Sequence, residues 1–142
     1  MPLSDLRGKG NFSVRSFAGR PLLLPVLSDA CPSCVLQLSW QIREIEQLGG
    51  VKDGNITVIA LDIDPPGDPG FISKHQDQFS FSGYTTRLPD DRILELLRTF
   101  GVFAVDTNTN PVILICPGGK AVLLPPGPKD SGSLETLMTK EC

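Results

Sequence analysis

Apolar positions fall in short blocks along the chain, each bounded by glycine or proline, and the spacing inside each block predicts its element. Phe12-Ser-Val-Arg-Ser-Phe17 alternates apolar with polar before Gly19, the pattern of an edge strand or hairpin arm. Leu22-Leu-Leu-Pro-Val-Leu27 is continuously apolar and of strand length, as in a strand buried on both faces. Pro25 cannot donate to a sheet ladder, so a bulge or an unpaired position is expected there. Val35, Leu38, Ile42, Ile45 and Leu48 recur at helical spacing up to Gly49-Gly50, predicting an amphipathic helix with a glycine stop. Pro32 falls in its first turn, where a missing N–H costs nothing. Asn55–Leu61 is a second buried strand, rich in β-branched residues. Residues 62–70 form a loop at its C-terminal end, and Phe71–Phe79 reads as a short polar helix. Pro89 opens another helix, with Ile93, Leu94, Leu97 and Phe100 on one face and Gly101 as its stop. Pro111–Cys116, the turn Pro117-Gly-Gly119 and Lys120–Leu124 make a hairpin, and Ser133–Lys140 is a closing helix. Strands alternating with helices and ending in a hairpin imply an α/β fold, a three-layer sandwich around a central mixed sheet.

Composition narrows the class. The 142 residues are expected to form a single domain, residues 1–142, because one core of ordinary size accounts for them. A net charge of −3 lacks the basic excess that nucleic-acid binders carry. The longest apolar runs are strand-length, far below the roughly 20 residues that span a bilayer. The first twenty residues scatter Arg7, Lys9, Arg15 and several glycines where a leader's apolar core would lie. The chain is therefore expected either to be cytosolic or to be the soluble part of a protein whose leader lies outside it.

Four cysteines are too few for a disulfide-built scaffold of this length. Cys31 and Cys34 form a Cys-Pro-Ser-Cys pair between a buried strand and a helix. A thiolate at a helix N-terminus faces unpaired N–H groups and the positive end of the dipole, which favours its ionisation. The spacing of three brings the second sulfur one turn along, within disulfide reach. Cys31 is then the exposed nucleophile, and Cys34 the thiol that resolves a mixed disulfide. Inert thiols or a purely structural disulfide remain the alternative, whereas zinc would want four ligands and the chain offers His75 alone among histidines.

With this pair in front of its helix, the element order resembles the thioredoxin-like superfamily. Phe100-Gly-Val102, Asn110-Pro-Val-Ile-Leu-Ile115 and Gly118-Gly-Lys120 are similar to the second half of such domains, and the likeness covers roughly residues 12 to 140. It implies that Pro111 is the cis-proline beginning the third strand. It also implies that Asn110 pairs through its backbone with a bound substrate strand, Pro32 and Ser33 completing the substrate-facing site.

Two groups within the superfamily compete. Ile59-Ala-Leu-Asp-Ile-Asp-Pro-Pro-Gly-Asp-Pro69 and the stretch from Phe81-Ser-Gly to Phe100-Gly-Val102 resemble the Sco/SenC family, which binds copper for cytochrome c oxidase assembly. That family uses Cys-x-x-x-Cys-Pro and a distant histidine. Here the spacing is shorter, no proline follows Cys34, and the histidine's expected region reads Val105-Asp-Thr-Asn-Thr-Asn-Pro111, leaving only two soft ligands. The site itself resembles the TlpA/ResA-like oxidoreductases, with Cys-Pro-x-Cys at the helix start. Two proton-handling carboxylates of those relatives are replaced, by Pro25 and by Gln37. Water or Asp29 is left to serve Cys34.

The expectation is a thiol-disulfide oxidoreductase acting on protein thiols and disulfides through Cys31 and Cys34, with no obligatory cofactor. The alternatives are a copper carrier, using Cys31 and Cys34 as ligands, and a non-catalytic interaction module on the same scaffold. Resemblance implies an extracytoplasmic setting, periplasmic or membrane-anchored through a tether outside this chain. Trp40 is expected to pack in the core or against a helix rather than to act in catalysis, and His75 to be a solvated surface residue. Asp62, Asp64 and Asp68 are read as a solvated acidic loop rather than a hard-cation site. Cys116 is expected to be a small buried hydrophobe, and Cys142 an exposed thiol.

Overall fold

The computed structural model describes residues 2–4, 11–13, 19–28, 32–63 and 83–142, with the backbone alone for 2–4, 11–13, 32–38 and 85. Two short strands, β1 (Pro2–Ser4) and β2 (Asn11–Ser13), pair antiparallel. The chain continues through β3 (Leu22–Leu27), α1 (Pro32–Glu46), α2 (Gly49–Lys52), β4 (Thr57–Asp62), β5 (Tyr84–Arg87) and α3 (Asp90–Phe100). Two 3-10 turns, Val102–Ala104 and Thr107–Thr109, lead to β6 (Val112–Ile115), β7 (Ala121–Leu123) and α4 (Ser131–Glu141). The predicted helix over 71–79 and the rest of the predicted strand, 14–17, lie outside the described residues.

The main sheet has the order β5-β4-β3-β6-β7. β3 runs parallel to β4 and antiparallel to β6, so the sheet is mixed, with β3 at its centre. Every residue of β3 is buried, as its unbroken apolar run requires. Strand alternation divides its side chains between two cores. Leu23 and Leu27 join Val58, Ala60, Val112 and Leu114 under Ile42 and Ile45 of α1, Leu48 just after it, and Leu134 of α4. Leu22, Leu24 and Val26 join Ile59, Leu61 and Ile113 on the other face, where Ile93, Leu96 and Phe100 of α3 pack. Helices on both faces make the expected three layers.

Pro25 produces the unpaired position without a bulge. β3 and β4 pair at Leu22↔Thr57 and Leu23↔Val58, and resume in the same register at Val26↔Leu61. The ladder skips the site of the missing N–H, while on the other edge Pro25 still stands opposite Val112.

Several expectations change. Gly49-Gly50 does not stop α1, which ends at Glu46; the glycines open α2 instead. A Cβ at Gly50 would lie 2.5 Å from Ile56 Cδ1, so a larger residue there would displace the Ile56 side chain. On α3 the sheet-facing stripe is Ile93, Leu96 and Phe100, and Leu94 and Leu97 turn to solvent. Trp40 is likewise exposed on α1 rather than packed in the core. Strand β5 was not legible, since Tyr-Thr-Thr-Arg is short and largely polar; it pairs in parallel with β4 at the sheet edge. Gly101 does terminate α3, at φ 87°, a conformation that glycine adopts without strain.

Candidate functional site

The first turn of α1 contains Pro32, Ser33 and Cys34, and Cys31 is the residue immediately before it. The strand feeding this helix is the central β3, so the motif follows the C-terminal end of the most buried strand. That end of a sheet, at a helix start, is where α/β folds carry their chemistry. The sulfurs of Cys31 and Cys34 lie outside the described residues, as do Asp29, Asp64, Asp68 and His75.

Asn110 and Pro111 come to the same end of the sheet. β6 is antiparallel to β3, and the Val26 N–H donates to the Pro111 carbonyl at 2.9 Å. The residue before the end of β3 is thereby tied to the residue before β6. The expected cis peptide is not found: there is no cis bond among the described residues, and Pro111 follows Asn110 in trans. Asn110 makes the turn itself, at φ 49° and ψ 61°, as the cap of the preceding 3-10 turn. Asparagine tolerates this left-handed conformation, and trans is the ordinary state of a bond to proline.

Both backbone groups of Asn110 are engaged within the chain. Its N–H donates to the Thr107 carbonyl at 3.3 Å, and its carbonyl accepts from Lys129 Nζ at 2.8 Å. Its side-chain Nδ2 is buried with no acceptor among the described residues.

Lys129 was not singled out from the sequence, yet it is only 5% exposed. Burial lowers the pKa of its ammonium to about 8 from 10.5, because a charge held away from water is disfavoured. It has no carboxylate partner among the described residues; its Nζ donates to the carbonyls of Asn110 and Gly127. Its backbone is latched to α1: Gln41 Nε2 donates to the Lys129 carbonyl at 2.8 Å, and the Lys129 N–H donates to Gln41 Oε1 at 2.9 Å. Gln41 is 1% exposed and lies seven residues, two helical turns, after Cys34. One signal could have revealed it: Gln41 is a polar residue in the stripe Leu38, Gln41, Ile45, Leu48.

Asp62 also departs from the solvated loop in which it was read. It is the last residue of β4, stands beside Leu27, and is 1% exposed. Arg87 on β5 donates to its Oδ2 at 3.2 Å. No group of three or more histidine, cysteine or acidic side chains among the described residues is arranged to hold a metal.

The remaining cysteines form a disulfide, which corrects the reading of both as free thiols: Cys116 is bonded to Cys142 with a Cα–Cα distance of 5.5 Å. Cys116 is buried as expected, and Cys142 is exposed as a residue. The sequence offered no pairing signal, because the two stand 26 residues apart. Since Ile115 pairs with Leu22, this bond sits at the opposite end of β3 from the one that leads to α1. It is not part of the same site.

No protein-family model matches the chain, and no curated protein does. Solved structures do resemble it. The thioredoxin domain of a thiol-disulfide oxidoreductase from Bacteroides vulgatus superposes with a TM-score of 0.68 at 18% identity, covering 97% of this chain and 92% of that one. A secreted Mycobacterium tuberculosis disulfide oxidoreductase gives 0.69 at 13% identity, covering 99% and 95%. The exposed lipoprotein thioredoxin of Streptococcus pneumoniae gives 0.66 at 14% identity, covering 99% and 98%. Near-complete coverage in both directions, with the mixed five-stranded sheet, identifies the architecture: this chain has the thioredoxin-like fold.

Proposed function

We propose that the chain is a thiol-disulfide oxidoreductase acting on protein thiols and disulfides through Cys31 and Cys34. The observation that carries this reading is local. A Cys-Pro-Ser-Cys motif runs into the first turn of α1 directly after the central strand, with the Asn110-Pro111 turn tied to that strand's end. The oxidoreductases among the similar structures support it at the level of the fold.

In the reducing direction the Cys31 thiolate attacks one sulfur of a substrate disulfide. A Cys31–substrate bond forms, and the other substrate sulfur leaves as a thiolate. Cys34 then loses its proton and attacks Cys31, closing the Cys31–Cys34 disulfide and releasing the second substrate thiolate. Two electrons pass from the protein's dithiol to the substrate disulfide, and the reverse sequence oxidises a substrate dithiol. The helix N-terminus favours the Cys31 thiolate as both attacking and leaving group.

An extracytoplasmic setting belongs to the same proposal. A Cys116–Cys142 disulfide persists most readily in an oxidising compartment, and the similar structures include a secreted and a surface-exposed protein. No helix among the described residues is long and apolar enough to cross a membrane.

The test is turnover of a protein disulfide by wild type, Cys31→Ser and Cys34→Ser. Cys31→Ser should be inactive, and Cys34→Ser should accumulate a mixed disulfide visible as a mass adduct. Full activity in both variants would sink the proposal.

A further inference from the structure

We propose that Lys129 is a positioning residue of the exchange site: its ammonium clamps the carbonyls of Asn110 and Gly127 and so fixes the Asn110-Pro111 turn against α1 for a polypeptide substrate. This rests on the exchange reading above and adds a residue that the cysteine motif does not predict.

Three segments meet at Lys129. Its backbone is joined to α1 through both amide atoms of Gln41. Its Nζ reaches the Asn110 carbonyl. Gly127, whose carbonyl takes another hydrogen bond from Nζ, donates its own N–H to the Thr109 carbonyl at 2.7 Å. The loop leading into α4 is therefore stitched to the turn before β6, while Glu44 of α1 accepts the Ser131 N–H at 3.1 Å. Since Pro111 is in turn bound to Val26, the clamp lies at the sheet end from which the chain runs to Cys31.

The arrangement is costly, and the cost is concentrated at one turn. Among the described residues the ammonium is buried without a counter-charge, and beside it the Asn110 amide donor is buried without an acceptor. The same turn holds Asn110 in the left-handed conformation that asparagine tolerates. An apolar side chain at 129 would avoid the first of these costs but would leave the Asn110 carbonyl without its ammonium donor. Buried polar costs gathered at one turn call for an explanation beyond packing.

The acidic groups on the surrounding elements are engaged elsewhere. Glu44 on α1 takes the Ser131 N–H, Asp106 before the turn takes the Asn108 N–H, and Asp130 takes the Ser133 N–H. The charge on Lys129 is thus balanced by carbonyl dipoles, and its lowered pKa, about 8, makes the clamp sensitive to mild alkali.

The experiment compares wild type with Lys129→Met on two probes, a peptide disulfide that needs the turn and 2-hydroxyethyl disulfide, which is too small to span it. The Michaelis constant for the peptide should rise about tenfold, the factor that one charge-assisted hydrogen bond is worth. Turnover of the small disulfide should stay unchanged. In wild type alone, the Asn110 carbonyl carbon shift should titrate by NMR with a midpoint of about 8, which needs no variant to fold. An unaltered peptide Michaelis constant, or an Asn110 carbonyl that shows no such step, overturns the assignment of Lys129. If wild type turns over neither disulfide, the exchange reading fails and the positioning role falls with it. The carbonyl titration then decides only whether the clamp exists.

Discussion

Replacing Cys142 by serine removes the bond between the end of β6 and the last residue of the chain, and its cost follows from the loop that the bond closes. The two cysteines are 26 residues apart. In the chain-entropy description, releasing a loop of that length makes the unfolded state more favourable by about 3.5 kcal/mol at 25 °C. The native side should change little. The Cα–Cα distance of 5.5 Å is ordinary for a disulfide, so the bond imposes no backbone displacement. Leu134 keeps α4 packed on the core, and Lys120 Nζ still bonds the Glu141 carboxylate and carbonyl. Urea unfolding should therefore show Cys142→Ser less stable by about 3 kcal/mol, with a melting temperature lower by about 10 °C. Dithiothreitol should bring wild type down to the same level and should barely affect Cys142→Ser, because the Cys31–Cys34 loop is too short to constrain much chain. A loss below about 1 kcal/mol at unchanged urea dependence would refute the reasoning, since the crosslink would then be either unformed or without hold on the unfolded chain.

Two further outcomes are expected. Lys129 has a folded-state pKa of about 8 against 10.5 for its ordinary value. Between these the unfolded chain binds the proton and the folded chain does not, so this residue makes stability rise with pH over that window. The gain should be roughly 2 kcal/mol after solvent screening, measured as the stability of wild type relative to Lys129→Met at pH 7.5 and pH 10; a constant difference would contradict it. Asp62→Asn leaves the Arg87 guanidinium beside a neutral amide at a buried position. Chemical denaturation should show a loss of about 3 kcal/mol, the low end for a broken buried pair, because Arg87 retains 17% exposure, and no loss would mean that the pair contributes nothing.

Much of the fold was legible because burial writes a period into a strand or helix. The runs at Leu22–Leu27 and Val112–Ile115, the stripe Ile42, Ile45 and Leu48, and the stop at Gly101 all depend on neighbours close along the chain. The cysteine motif and its helix start were legible for the same reason. Errors came where a residue could satisfy more than one partner. Leu94 and Leu97 fit the periodicity of α3 as well as Leu96 does, and only the sheet beneath decides which of them is covered.

What the sequence determined alone, then, was local: where strands and helices lie, and that two thiols three residues apart stand at a helix start. Tertiary structure decided the rest. Cys116 meets Cys142 because α4 brings the last residue back to the end of β6; Asp62 leaves solvent because β5 adds Arg87 at the sheet edge; Lys129 reaches Asn110 because the loop before α4 crosses the turn before β6. Each pair joins residues between 19 and 26 positions apart. No periodic signal spans that distance, since such contacts are selected by the packing of whole elements.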